Sequence, residues 1–285
     1  MMKWNFGQTY KEIRKSKNLS QQEICGEEIS RVALSKIENS KAIPNITHMM
    51  FLLDQIDMTV DEFMYICNLY HPSERQSLLI EANNLLVTPT TEQLKVLITR
   101  CSTYLELNDD VPIKNLKDVL ELFLFIRTNG IQRDNLRYQD LVHKIWLPLQ
   151  ERDEWYISDI RLLNAILHYF PVETLEKLSS YIFKNLEKYK NYRNIKNDQK
   201  TILENLATIY LKEGYQSQCE TILLKLLELC KEMKRYDGVA FAKVRLGICQ
   251  CNSSLIEQGK QMLILCEEAR LLDIAETEIE RYYTK

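Results

Sequence analysis

Two phrases decide the fold of this chain: Leu19-Ser20-Gln21-Gln22-Glu23-Ile24 and Ile29-Ser30-Arg31-Val32-Ala33-Leu34-Ser35-Lys36-Ile37-Glu38-Asn39. Ser20 stands three places before Glu23, the spacing of a capping box, so a helix opens there and runs over residues 20–26. Ser30 is placed to cap a second helix, Arg31–Asn39. Apolar Leu19, Ile24, Ile29, Leu34 and Ile37 set how the two helices cross. Together they read as a helix-turn-helix.

Working outward, residues 1–66 hold five short helices. Besides those two, they are Phe6–Lys17, Ile46–Ile56 after Pro44-Asn45, and Val60–Cys67 behind Thr59 and Glu62, a second capping-box spacing. Arg31, Val32, Ser35 and Lys36 lie on the free side of the second motif helix, the side that enters a major groove. Lys3, Lys11, Arg14, Lys15, Lys17, Arg31, Lys36 and Lys41 outnumber Glu12, Glu23, Glu27, Glu28 and Glu38 in residues 1–41. Residues 42–66 add only Asp54, Asp57, Asp61 and Glu62. Positive charge is confined to the part that would face phosphate, although the whole chain has net charge −3.

The pattern breaks at Tyr70-His71-Pro72-Ser73, which predicts a first domain over 1–67 and a second over 73–285. The second is helical throughout. The expected pairs are 73–87 with 90–107, 112–129 with 134–149, 155–169 with 172–190, 197–213 with 216–234, and 238–251 with 254–271, followed by a last helix over 273–283. First helices recur every 39 to 43 residues, the spacing of a two-helix solenoid repeat, with an irregular all-α domain as the alternative. Ala207-Thr208-Ile209-Tyr210-Leu211-Lys212-Glu213-Gly214-Tyr215 has a tetratricopeptide flavour. With 7 Gly and 6 Pro in 285 residues, all-β and Rossmann-type folds are disfavoured. The fold class is all-α: a five-helix helix-turn-helix domain followed by a tetratricopeptide-like helical-repeat solenoid.

Several function classes recede. The 8 cysteines scatter through apolar helical stretches and read as buried reduced thiols of a cytoplasmic protein. Cys249 and Cys251 have no histidine partners, so no metal site is expected, nor a cofactor. No apolar run of about 18 residues exists, so no membrane partner is expected. No phosphate-binding loop, nucleophile elbow, zincin motif or paired C-x-x-C is present, which argues against an enzyme.

Residues 6–66 resemble the phage Cro/CI repressor class and, more closely, the Rgg family of peptide-sensing regulators from Gram-positive bacteria. The likeness rests on Phe6-Gly7-Gln8-Thr9-Tyr10-Lys11-Glu12-Ile13-Arg14, Ile29-Ser30 through Glu38, and Leu52-Leu53-Asp54-Gln55-Ile56 with Asp61-Glu62-Phe63. Beyond residue 66 it rests on helical architecture, length and weaker phrases such as Gly259-Lys260-Gln261-Met262. The turn Gly26-Glu27-Glu28 is one residue shorter than in phage repressors, as in the Rgg pattern, and Asn39-Ser40 replaces the commoner Arg-Gly. The resemblance implies a cytosolic homodimeric regulator that binds double-stranded DNA and, through its helical repeats, a short signalling peptide. It implies an ion pair between Arg14 and Glu38, with Arg14 also reaching phosphate, and a phosphate contact from Gln21. Arg31, Val32 and Lys36 are the base-edge candidates, though Arg31 and Lys36 can instead touch only the DNA backbone. Ser30, Ser35 and Asn39 complete the expected DNA-binding set.

An extended peptide brings unpaired N–H and C=O groups, which Asn and Arg side chains can satisfy. Arg161, Asn164 and His168 share one face of a first helix; Thr201, Asn205, Thr208 and Lys212 share a face of the next. Phe241 and Arg245 are one turn apart on a third. Arg161, Asn164, Asn205 and Arg245 are therefore the peptide-binding candidates, against the reading of each stripe as a solvated face. His168 reads as a packed or surface residue, and Lys184–Lys196 as a solvated polar loop. The last helix is expected to cap the solenoid or join a dimer interface. Two rival readings remain: a repressor controlled by a protein partner, and a thiol-based redox regulator.

Overall fold

A computed structural model describes residues 5–85, 89–192 and 195–283. Expectations at Lys3, at Leu86–Thr88 and at Arg193–Asn194 lie outside the described residues. Among those described, all regular structure is helical. The chain divides into two compact units.

The first unit opens with α1 (Phe6–Ser16), α2 (Gln21–Cys25), α3 (Arg31–Glu38), α4 (Ile46–Gln55) and α5 (Val60–Cys67). Their starts are fixed by side chains that accept orphan backbone N–H groups. Asn5, Ser20, Ser30, Asn45 and Thr59 each cap the helix that follows. Ser20 and Glu23 form the reciprocal capping box; at Thr59 only the threonine half is made. Tyr10, Ile24, Ile29, Leu34, Ile37, Leu52, Leu53, Ile56 and Phe63 are buried together. The Tyr10 hydroxyl donates to the Leu52 carbonyl at 3.0 Å, and burial pushes its phenol well above the usual tyrosine range. Gly7 lets α1 lie directly on the end of α3: a Cβ there would stand 1.8 Å from the Ile37 carbonyl oxygen.

The unit does not stop at the expected boundary. It takes in α6 (Glu74–Asn84), runs to residue 90, and resumes over residues 99–113. Arg75 pairs with Asp110 at 2.7 Å, Arg100 pairs with Glu81, and Tyr104 donates to Asp110 at 3.2 Å. These contacts tie α6 to the end of α7 (Thr91–Leu107) and the start of α8 (Val111–Asn129).

The second unit comprises residues 91–98 and 114–285. After α8 it runs through α9 (Leu136–Gln150), α10 (Ile157–Ile166), α11 (Val172–Glu187), α12 (Ile195–Lys212), α13 (Gln216–Glu232), α14 (Tyr236–Cys249), α15 (Ser253–Leu265) and α16 (Ala269–Tyr282). Successive helices pack on one another from α12 to α15, and α10 packs on both α9 and α12. The helix expected over 155–169 is split. α10 passes into a short 3-10 turn, Leu167–Tyr169, because Phe170 precedes Pro171 and is held extended at φ −78°, ψ 144°. Pro148, expected as a break, sits inside α9. Lys144, whose carbonyl loses its bond there, faces solvent.

α14 is buried nearly all round, from Gly238 to Ile248 with Lys243 the exception. Gly259 of α15 lets it approach closely: a Cβ there would lie 2.7 Å from the Ala240 carbonyl oxygen. α15 ends at Leu265, short of the expected residue 271. The Glu267 and Glu268 amides turn back to the Ile264 and Leu263 carbonyls, with Glu267 at φ +58°. α16 then packs on α14 and α15 and caps the repeat.

Candidate nucleic-acid interface and repeat-domain site

α3 presents its outer side as expected. Arg31, Lys36 and Val32 (66% exposed) face solvent, while Leu34 and Ile37 anchor the opposite side in the core. The Arg31 and Lys36 side chains make no hydrogen bond or ion pair among the described residues, so both cations are available to DNA. The Ser30 oxygen accepts the Ala33 amide at 3.2 Å. Asn39 is committed within the domain: its amide donates to the Ser35 carbonyl at 2.8 Å and its oxygen accepts from Lys11 at 3.0 Å. The Lys17 ammonium is docked on the Ile56 carbonyl, at the C-terminal end of α4.

Glu38 stands beneath α3 with its side chain wholly buried. Arg14 Nε meets Glu38 Oε1 at 2.6 Å and Nη2 meets Oε2 at 2.9 Å, while Nη1 donates to the Leu19 carbonyl. Gln21 Nε2 also donates to Glu38 Oε2, at 2.8 Å. Burial alone would raise the Glu38 carboxyl. Hydrogen bonds from Arg14 and Gln21, with the Arg14 and Lys11 charges, outweigh it and hold the group below the usual glutamate range. Two expectations narrow here. Arg14 engages each guanidinium nitrogen within the domain, so the buried pair is its main role. Gln21 turns one of its two amide N–H groups inward onto Glu38.

In the second unit the two asparagines come together. Asn205 on α12 donates its amide to Asn164 Oδ1 on α10 at 3.0 Å. Thr201 and Thr208, on the same stripe, bond back to the Asn197 and Glu204 carbonyls. The two arginines behave differently from expectation. Arg161 forms a forked pair with Asp198 at 2.7 and 3.0 Å, with its side chain 60% exposed. Arg245, whose side chain is 5% exposed, forks onto Glu278 of α16 at 2.8 and 2.7 Å and lies 4.4 Å over the Phe241 ring. Arg245 is thus a joint between α14 and α16 and is corrected from a ligand group to a packing one.

A cavity of about 440 Å³ opens farther along α12 and beside the 3-10 turn after α10, lined by Ile131, Arg133, His168, Ile209, Lys212, Glu213 and Arg281. Arg133 donates to the His168 carbonyl at 3.1 Å and to Glu213 at 3.0 Å. Sequence reasoning noticed His168 and Lys212 but not Arg133 or Arg281. A stripe drawn on single helices omits residues supplied by a loop and by the capping helix.

Cysteine burial is mixed. Cys25, Cys101, Cys219 and Cys230 are buried, while Cys251 and Cys266 are exposed at turns, against expectation. A hydrogen bond shared with Cys249, together with burial, pushes the Cys219 thiol up. No group of three or more His, Cys, Asp or Glu side chains suited to a metal ion occurs among the described residues.

Residues 113–245 match the family described as HTH-type transcriptional regulator Rgg, C-terminal domain, and residues 11–63 match a helix-turn-helix family. The chain thus carries an Rgg-type C-terminal domain behind a helix-turn-helix. Its Rgg-type domain spans the whole run from α8 to the middle of α14, so the asparagine pair and most of the cavity lining lie within the matched stretch. A comparison with curated protein sequences finds no significant match. Among solved structures, a putative transcriptional regulator from Listeria monocytogenes is similar at 18% identity and TM-score 0.73, covering 99% of each chain. The Streptococcus dysgalactiae SHP pheromone receptor Rgg2 is similar at 15% identity and TM-score 0.68, over 97% of this chain and 99% of that one. Bacillus thuringiensis PlcR, in complex with the peptide PapR7 and DNA, is similar at 13% identity and TM-score 0.64, over 99% of this chain and 100% of that one. At these identities the likeness is one of fold. Among the described residues no helix is long and apolar enough to cross a membrane.

Proposed function

We propose that this Rgg-type chain is a sequence-specific regulator that binds double-stranded DNA through α3 as a homodimer in the cytoplasm, and that its helical-repeat domain senses a short signalling peptide. On this reading it has no catalytic role and needs no cofactor. The DNA half is supported by the exposed Arg31, Val32 and Lys36 on a helix whose other side is locked in the core.

The observation that carries the sensing half is the Asn164–Asn205 bond. It uses one donor and one acceptor. Asn164 keeps its own amide N–H groups and Asn205 keeps its side-chain oxygen, side by side on adjacent helices. That is the complement of one peptide group, whose C=O accepts and whose N–H donates. PlcR, of like fold, has been seen with both a peptide and DNA, and Rgg2 is described as a pheromone receptor. Peptide occupancy would bias the dimer between DNA-binding states, to the extent that the peptide prefers one of them. Fluorescence polarisation of labelled short apolar peptides against wild type, Asn164→Ala and Asn205→Ala tests the reading, with DNA affinity measured alongside.

A further inference from the structure

The cavity beyond the asparagine pair carries an excess of positive charge. Glu213 is the one carboxylate in its lining, and Arg133 already engages it at 3.0 Å. Lys212 and Arg281 make no hydrogen bond or ion pair among the described residues; Arg281 only lies 5.4 Å from the Tyr282 ring centre. Two cations therefore face the same space uncompensated, beside Ile131 and Ile209. His168, on the wall, is pushed down to about 4, first by burial and then by the Lys212 and Arg133 charges. It is neutral near pH 7 and adds a polar ring without adding charge. The site is built by four elements: the loop holding Ile131 and Arg133, the 3-10 turn holding His168, the end of α12, and α16.

Its position relates it to the asparagines. Lys212 is on the stripe that carries Asn205, and His168 is on the 3-10 turn that directly follows α10, the helix of Asn164. At 1.5 Å per helical residue the separation along α12 is roughly 10 Å, which an extended peptide covers in about three residues. We infer that the cavity lined by Arg133, His168, Lys212 and Arg281 binds the anionic end of the sensed peptide, a terminal carboxylate or an acidic side chain about three residues from the peptide group held at Asn164 and Asn205. The inference rests on the peptide reading above and gives it a ligand class: a peptide with an acidic end and an otherwise apolar body. Arg133 serves as the positioning residue, since it also braces the His168 carbonyl, while Lys212 and Arg281 supply the free charge.

The test uses the full chain and short, N-terminally labelled apolar peptide pools in three forms: free C-terminal carboxylate, C-terminal amide, and C-terminal amide with one internal Asp. The variant is Lys212→Ala with Arg281→Ala, two exposed side chains whose loss leaves the packing intact. Wild type is expected to bind the carboxylate pool or the Asp pool roughly tenfold tighter than the plain amide pool, and which of the two wins names the anion's source. The double variant is expected to bind all three alike, at the plain-amide level. Equal binding of all pools by wild type, or a preference that survives the double variant, overturns the anion site and leaves the peptide reading standing. Binding of no pool by wild type overturns both. Methanesulfonate, which stays anionic through the His168 titration, adds a probe independent of peptide sequence. Followed by NMR at matched ionic strength against chloride, it should raise the His168 titration midpoint in wild type and leave it unmoved in the double variant. An unmoved His168 in wild type counts against the site.

Discussion

Arg14 and Glu38 face each other as a two-pronged pair, 2.6 and 2.9 Å apart, with the carboxylate fully buried under the helix that presents Arg31 and Lys36. Gln21 makes the third bond to that carboxylate. A single buried group thus joins α1, α2 and α3 and sets the angle at which α3 is shown to DNA.

Removing Glu38 should therefore cost more than a surface pair would. Glu38→Ala leaves a buried guanidinium without its counter-ion, a loss of about 3–5 kcal/mol. The pH dependence has a definite sign. The Glu38 carboxyl is held lower in the folded protein than in the unfolded chain. Its stabilisation is full above the ordinary glutamate range and is lost as pH falls through the depressed folded value. Hydrogen exchange at the Leu34 and Ile37 amides should accelerate in Glu38→Ala at neutral pH, and acidification should narrow the gap to wild type. Equal exchange at pH 7 would show that the pair does not hold the motif.

Gly7→Ala sets two effects against each other. Alanine is the better helix former by about 1 kcal/mol. The added methyl, however, would collide with the Ile37 carbonyl, a backbone atom that cannot rotate away. The collision is expected to win, with a net loss of about 1–3 kcal/mol in thermal or denaturant melts. A stabilised variant would mean that α1 and α3 lie farther apart.

On DNA, Arg31→Ala and Lys36→Ala should each cost about 1–3 kcal/mol on a selected operator if they read bases, and less on random sequence. Gln21→Ala should act instead by loosening the domain, lowering its melting point while leaving the salt dependence of DNA binding unchanged. Mobility-shift titrations at two salt concentrations, beside melts, separate these outcomes. A reduced salt slope in Gln21→Ala would return that residue to the phosphate-contacting set.

Arg245 and Arg161 provide an internal contrast. Glu278→Ala strands a buried arginine and should destabilise the repeat domain by about 3–5 kcal/mol. Arg161→Ala removes an exposed arm and should cost no more than about 1 kcal/mol. Calorimetric melts of the full chain measure both. Comparable effects would mean that exposure does not rank these two pairs.

Much of this architecture was legible in the sequence because its signals are local. Ser20, Ser30, Asn45 and Thr59 mark helix starts by an oxygen at a fixed offset, and all four caps are made. Helix ends were harder to place. Asn18, Ser40, Asp57, Lys234, Cys251 and Glu267 adopt the left-handed conformation that glycine usually supplies, so the stop after Leu265 carried no compositional mark. The asparagine pair was readable because both members lie on first helices, 41 residues apart, one repeat length. The role of Arg245 was not readable. Its partner Glu278 belongs to the capping helix, outside the repeat, and single-helix periodicity says nothing about which face a later element covers. The inward bond of Gln21 was hidden for a related reason: an amide at a helix start suits phosphate, and only the packed structure shows a buried carboxylate within its reach.

The central claim is that the paired asparagines hold a peptide. Fluorescence polarisation with labelled short apolar peptides, run on wild type, Asn164→Ala and Asn205→Ala, tests it most directly. Each variant should lose about 1–3 kcal/mol of peptide affinity, because a peptide N–H or C=O is left unpaired, while DNA binding without peptide stays at the wild-type level. Peptide binding by both variants indistinguishable from wild type would contradict the claim and make the stripe a solvated face.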